Sequence, residues 1–110
     1  MARMAGAGEL PLVQVDEHMS RRVLAEEKLM LVEVRLAPGA QVDSHSHPHE
    51  QAGYVLSGRV LFGIGGKERE LGPGSMYSVE GGVSHRARVI GEEAATLVEV
   101  FTPIREDFLA

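Results

Sequence analysis

The sequence predicts an all-β domain built as a sandwich or a barrel. Three observations carry this reading. Short apolar runs recur with turn residues between them at intervals of about 8–12 residues, the pattern of many short antiparallel strands. Nine of the thirteen glycines fall between residues 53 and 82, where they punctuate those runs. Met30, Val32, Val34 and Leu36 alternate at period two, as a strand with one buried face requires.

Taken in order, about ten N-terminal residues are expected to be loose. Ser20–Lys28 (SRRVLAEEK) reads two ways. It is rich in helix formers with Ser20 as an N-cap; equally, it is a strand ending in an exposed Glu26-Glu27-Lys28 turn. Met30–Leu36 is a strand, with Met30 as a core filler. Further strands are expected at Tyr54–Leu56, Val60–Phe62, Met76–Val79, Val83–Ile90 and Ala95–Phe101, with Met76 also in the core. Hairpins are expected at Leu56–Val60, Gly63–Lys67 and Leu71–Gly74. By parity Tyr54 points away from the Gln51 side, packing between sheets or across a dimer interface. Thr102-Pro103 looks like a helix start, with Thr as N-cap and Pro at the first position, so a short C-terminal helical turn should close the chain.

At 110 residues the chain is expected to form one domain spanning 1–110. Eleven basic against sixteen acidic residues give a formal charge of −5. Basic residues cluster no further than Arg21-Arg22, so neither nucleic acid nor an anionic membrane is an expected partner. The N-terminal MARMAGAGELPLV lacks the apolar core of a signal peptide. No apolar run approaches the ~20 residues that span a bilayer, so a cytoplasmic protein is expected. Cysteine is absent, which excludes a thiolate nucleophile and leaves His, Asp, Glu or amide oxygens as the only ligands for a metal.

The stretch HSHPHEQ (residues 45–51) holds three of the five histidines. In a strand, His45 and His47 present their imidazoles to one surface, and an extended chain brings Gln51 there too, while Glu50 turns to the opposite face. Pro48 interrupts strict extension. His85, just past the Gly81-Gly82 turn, is the candidate that a later strand can supply. His49 shares the ligands' parity and either reaches the site or sits in the rim; His18 is isolated and reads as exposed. Arg86 and Arg88 alternate with His85 and should face away. Spacing alone leaves a metal site and a solvated polar loop both open.

The frame Gly39-x5-His45-x-His47-x3-Gln51-x6-Gly58 resembles the first motif of the cupin family, spanning about 39–58. Gly74-x7-Gly82-x2-His85 resembles the second, about 74–89, with Glu80 where that motif prefers proline. The 15 residues between Gly58 and Gly74 suit the spacing of small bacterial cupins. The resemblance implies a double-stranded β-helix, or jelly-roll barrel. It also implies strand and turn at Ser20–Lys28, and one divalent metal held by His45, His47, Gln51 and His85. That ligand set suits zinc, nickel, iron, manganese or copper without choosing among them. Gln51 stands where most cupins carry glutamate, and its amide leaves the metal's charge uncancelled.

HSHPHEQ followed by YVLSG (54–58), together with the tail FTPIREDFL (101–109), is similar to KdgF-type pectin-degradation cupins. Members of that group are understood to linearise 4,5-unsaturated monouronates to 5-keto-4-deoxyuronates. The resemblance implies a sugar-acid substrate and places the group's acid, phenylalanine and arginine at Glu99, Phe101 and Arg105. Glu99 and Arg105 would be catalytic, with Arg105 and Phe101 touching substrate. The group's acid is aspartate, and glutamate here reaches one methylene further. By the same analogy a homodimer is expected. Two other functions fit the ligand set: a cupin-type oxygenase with iron or copper, and a non-catalytic module that binds a metal or small molecule.

Overall fold

The computed structural model describes residues 2–109. The strands are β1 (Val13–Gln14), β2 (Met19–Ala25), β3 (Met30–Leu36), β4 (Gln41–His45) and β5 (Glu50–Ser57), then β6 (Val60–Ile64), β7 (Lys67–Leu71), β8 (Met76–Val79), β9 (His85–Val89) and β10 (Ala95–Thr102). A 3-10 turn, Glu106–Phe108, follows. The strands form two antiparallel sheets, one six-stranded in the order β1-β2-β3-β10-β5-β8 and one four-stranded in the order β4-β9-β6-β7. Their inner faces enclose the core, in the jelly-roll arrangement expected. No helix among the described residues is long and apolar enough to cross a membrane.

Alternation decides what each strand buries. On β3, Met30, Val32, Val34 and Leu36 are buried while Leu31 and Arg35 are exposed. They meet Val60 and Phe62 of β6, Ala87 and Val89 of β9, and Leu97 and Phe101 of β10 in one cluster. At about 25 cal/mol per Å² of apolar surface removed from water, this cluster is the main stabilising term.

Ser20–Lys28 resolves as strand and turn. Met19–Ala25 pairs with β3, setting Val23 opposite Val32 and Arg22 opposite Glu33, and those two close an ion pair at 2.9 Å. Glu26 N–H donates to Leu29 O at 2.8 Å to close the hairpin. Sheet pairing outweighs the modest helix propensity of the segment, as tertiary context commonly does.

Five expectations on turns and packing are corrected. Leu56–Val60 and Leu71–Gly74 are not hairpins but crossings between sheets, because β5 and β8 belong to the six-stranded sheet and β6 and β7 to the four-stranded one. Gly58 makes the first crossing at φ +78, where a Cβ would overlap Ala94 O and Ala95. Gly65-Gly66 alone forms the hairpin expected, between Ile64 and its partner Lys67. Met76 is 74% exposed rather than core, since its neighbour Tyr77 takes the inward position of β8. Thr102 is not an N-cap: it still pairs with Glu50, and its hydroxyl donates to Lys28 O at 2.8 Å. The helical turn therefore begins at Glu106. Tyr54 lies on the outer face of the six-stranded sheet, not between sheets, with Leu31, Leu56, Met76 and Val100 also exposed.

One contact of the fold prepares the site. Tyr77, Gly53 and Glu99 are direct partners across β8, β5 and β10. The middle position has no side chain, and the Tyr77 ring lies over it, where a Cβ would overlap the ring. The ring stacks on Phe62 at 4.1 Å. Gly53→Ala should therefore destabilise the protein by about 1–3 kcal/mol, the cost of overpacking a tight site. A urea-unfolding midpoint equal to that of the unmodified protein would contradict this.

Candidate metal centre

The two sheets bring four side chains to one end of the core. His45 closes β4 and His85 opens β9, and the two are direct partners in the four-stranded sheet, with ring centroids 4.3 Å apart. His47 lies in the loop between β4 and β5, its ring 5.0 Å from that of His85. That loop is fixed from outside: Gly82 at φ +83 donates its N–H to His47 O at 2.8 Å. Gly81 is pressed so close to Pro48 O that a Cβ would overlap it. The glycine pair before His85 thus holds the loop carrying His47. One ligand atom from each of the three histidines lies within 4.8 Å of those from the others. Gln51, the second residue of β5, comes from the opposite sheet and is 7% exposed.

The hydrogen bonds of these residues face outward and their remaining donor atoms face inward. Nδ1 of His45 bonds Asp43 O and Nδ1 of His85 bonds Val83 O, each at 2.9 Å. A carbonyl only accepts, so both Nδ1 atoms carry a proton, and in the neutral tautomer this fixes, Nε2 is the atom with the lone pair. Gln51 Nε2 donates to Glu99 Oε2 at 2.9 Å, which leaves Oε1 as the end of the amide without that bond. His85 Nε2, both ring nitrogens of His47 and Gln51 Oε1 are buried with no hydrogen-bond partner. Buried polar atoms are nearly always partnered, and apart from Nδ1 of the adjacent His49 these exceptions, among the described residues, belong to the four candidate ligands. Three neutral imidazoles and an amide oxygen are the donors a divalent transition metal takes, so the residues fit such an ion.

Protonation agrees with this. Burial, followed by the Arg105 charge and the neighbouring His85, lowers the pKa of His47 to about 4. Burial likewise holds His85 below the usual imidazole value. Both rings are therefore neutral near pH 7. Burial raises the Glu99 carboxyl above its ordinary value against the opposing hydrogen bonds from Tyr77 and Gln51 and the charge of Arg105. Tyr77 OH donates to Glu99 Oε2 at 2.6 Å, and burial beside that carboxyl keeps the phenol protonated.

A cavity of about 210 Å³ opens on this cluster, lined by His45, Gln51, His85, Glu99, Phe101 and Arg105 among others. Of the positions predicted from sequence, all the candidate ligands but His47 line it, as do the three tail-strand candidates. Phe101 is 2% exposed, packing edge-on to His47 at 5.9 Å and to Phe108 at 5.6 Å. It thus serves as core and as floor of the site. Arg105 lies 4.3 Å from the Phe108 ring centroid and forms a two-pronged ion pair with Asp107, at 3.2 and 3.0 Å. Glu50 is exposed, and His49 is half-buried beside His47 and outside the three-histidine cluster. Arg86, expected to face away, also lines the cavity, while its guanidinium pairs with Glu68 at 3.1 Å.

Two residues that build the site escape sequence reasoning: one behind it and one lining its cavity. Tyr77 sits inside an apolar run, and only the register that sets it across Gly53 from Glu99 reveals its role. Arg21 of β2 places its guanidinium 3.7 Å from the Phe108 ring centroid and lines the cavity. Its parity is readable only once Met19–Ala25 is known to be a strand.

The lowered pKa of His47 has a stability consequence. Between its unfolded value of 6.5 and about 4, the unfolded chain binds a proton that the folded chain refuses. Acidification through that window therefore favours unfolding. Metal-free protein should lose more melting temperature between pH 6.5 and 4 than the His47→Gln variant does; parallel curves would contradict the assignment.

Comparison with known proteins agrees with this geometry. The cupin domain family matches residues 32–101. The pectin degradation protein KdgF of Dickeya dadantii (strain 3937) is 33% identical over 103 residues, covering 92% of this chain and 93% of that protein. Among solved structures, KdgF from a Halomonas species superimposes with a TM-score of 0.91 at 26% identity, covering 98% of this chain and 99% of that one. An RmlC-like cupin from Shewanella frigidimarina gives the same score and identity over 98% and 96%. By its sequence motifs, its two-sheet barrel and these matches, the chain belongs to the cupin family.

Proposed function

We propose that this chain is a metal-dependent enzyme of pectin or alginate breakdown that converts 4,5-unsaturated monouronates to linear 5-keto-4-deoxyuronates. The observation that carries the reading is that one small cavity, lined by Gln51, Glu99 and Arg105, opens on the three-histidine cluster through His45 and His85. Its likeness to the two KdgF proteins supports the same substrate class.

The substrate is a cyclic enol ether with a hemiacetal at carbon 1 and a carboxylate on carbon 5. Ring opening breaks the bond from carbon 1 to the ring oxygen, and the carbon 1 hydroxyl gives up its proton to become an aldehyde. The ring oxygen becomes the enol oxygen on carbon 5, and protonation of carbon 4 yields the ketone. No atoms are gained or lost, so the protein need only hold the ring and move protons.

A cavity of about 210 Å³ falls below the ~300–1,000 Å³ of drug-sized pockets and suits one sugar ring. Arg105 and Arg21 stand at its Phe108 side, giving a cationic mouth on a chain of net charge −5. Such local charge draws in an anion, and a guanidinium binds a carboxylate through paired N–H groups. Asp107 orients Arg105 through its two-pronged pair. Glu99, with its pKa raised by burial, is suited both to take the hydroxyl proton and to return one at carbon 4. His45, His47, His85 and Gln51 would hold the metal, whose Lewis acidity would stabilise negative charge developing on the ring oxygen. Phe101 would support the ring. Outside the cavity, the exposed Leu31, Tyr54, Leu56, Met76 and Val100 favour a homodimer through the outer sheet, which light scattering at twice the monomer mass would test.

The direct test is anaerobic incubation of metal-loaded protein with unsaturated galacturonate and its guluronate-derived counterpart, following the alkene absorbance. The expected result is catalysed loss, abolished together with bound metal in His85→Ala. Arg105→Ala should retain metal but lose about 10–100-fold in kcat/KM, the worth of a charge-assisted hydrogen bond. Absence of catalysed loss overturns the reading, and oxygen uptake on another substrate would favour an oxygenase.

A further inference from the structure

We infer that Glu99 is the positioning residue of the metal site: held by Tyr77, it fixes which end of the Gln51 amide faces the histidines. This rests on the metal-binding part of the function proposed above.

The chemistry of an amide sets the requirement. A glutamine offers a cation only its oxygen; turned by half a rotation, it presents two N–H donors and repels the cation instead. A carboxylate ligand has no such wrong face, so a glutamine at position 51 needs a partner that tells its two ends apart. Glu99 is that partner. Its Oε2 accepts from Gln51 Nε2 at 2.9 Å and from Tyr77 OH at 2.6 Å. Gln51 Oε1 is left buried without a hydrogen bond, the amide's one cation-binding atom free of any partner. Phe62 stacks on Tyr77, and Gly53 yields the space the ring crosses. The glycine, the tyrosine and the acid are thus one device spread over three neighbouring strands.

The same geometry accounts for the amide itself. A glutamate at 51 would set a second carboxylate at hydrogen-bond distance from Glu99 in a buried place, where like charges repel strongly. With Gln51, the site holds one carboxyl group rather than two, and that group is bonded to the ligand amide instead of taking its place. Outer groups that orient a ligand commonly set metal affinity by 10–100-fold.

The test is Zn²⁺ and Ni²⁺ affinity, measured by competition with a chromophoric chelator, with melting of the metal-free variants alongside. Glu99→Leu removes the acceptor and should weaken affinity by about 10–100-fold. Glu99→Gln keeps a carbonyl to accept from Gln51 and Tyr77 and should lose less. Metal-free Gln51→Glu should melt below the unmodified protein, and adding Glu99→Gln should recover at least half of that loss. Unchanged affinity in both Glu99 variants overturns the inference, as does a double variant no more stable than Gln51→Glu alone. Should Glu99→Leu fail to fold, Glu99→Gln and the double variant still decide. Protein that follows this pattern yet leaves unsaturated uronates untouched would sink the proposed reaction and not this inference; protein that binds neither ion would sink both.

Discussion

The hydrogen bond between Gln51 and Glu99 is the point on which the site depends, because it ties one sheet's contribution to a centre otherwise built by the other. His45 and His85 are neighbours in the four-stranded sheet and His47 hangs from the loop beside them. Gln51 and Glu99 belong to β5 and β10 of the six-stranded sheet, whose inner face must reach across the barrel. Tyr77, crossing over Gly53, closes the link on its far side. The packing of two sheets thereby becomes a fixed arrangement of donor atoms.

The arrangement has an energetic cost. A buried polar atom without a partner costs about 1–3 kcal/mol, and His47, His85 and Gln51 all carry such atoms. A chain selected for stability alone would fill these positions with apolar side chains, as it does a few residues away at Val55 and Leu97. Concentrating the unsatisfied atoms at one point is what a binding site requires, and a bound ion would return that free energy through linkage to folding. The Gly81-Gly82 turn shows the same priority: its glycines permit the contact with the His47–Pro48 loop at the expense of chain entropy.

Much of this was legible in the sequence, because a strand alternates and a motif has fixed spacing. Met30 to Leu36, the shared face of His45 and His47, the arrival of His85 and the outward turn of Glu50 all follow from period two and a barrel. What was not legible depended on which strand lies beside which. Leu56–Val60 carries the residues of a hairpin but joins two sheets, and no local signal separates those cases. Parity assigned to an apolar run cannot say whether Met76 or Tyr77 points inward until the partner strand is known. Arg21 was hidden in a segment whose residues favour a helix in isolation, and its place at the cavity follows only from pairing with β3.

The most direct test of the account is a crystal structure of the protein grown with Zn²⁺ or Ni²⁺, with diffraction recorded at the metal's absorption edge. One anomalous peak is expected, bonded at about 2.0–2.2 Å to Nε2 of His45, Nε2 of His85, a ring nitrogen of His47 and Oε1 of Gln51. Glu99 should lie outside that shell, still accepting from the Gln51 amide nitrogen. A peak bound by the carboxylate of Glu50 or Glu99 in place of Gln51, or no peak between the histidines, would contradict it.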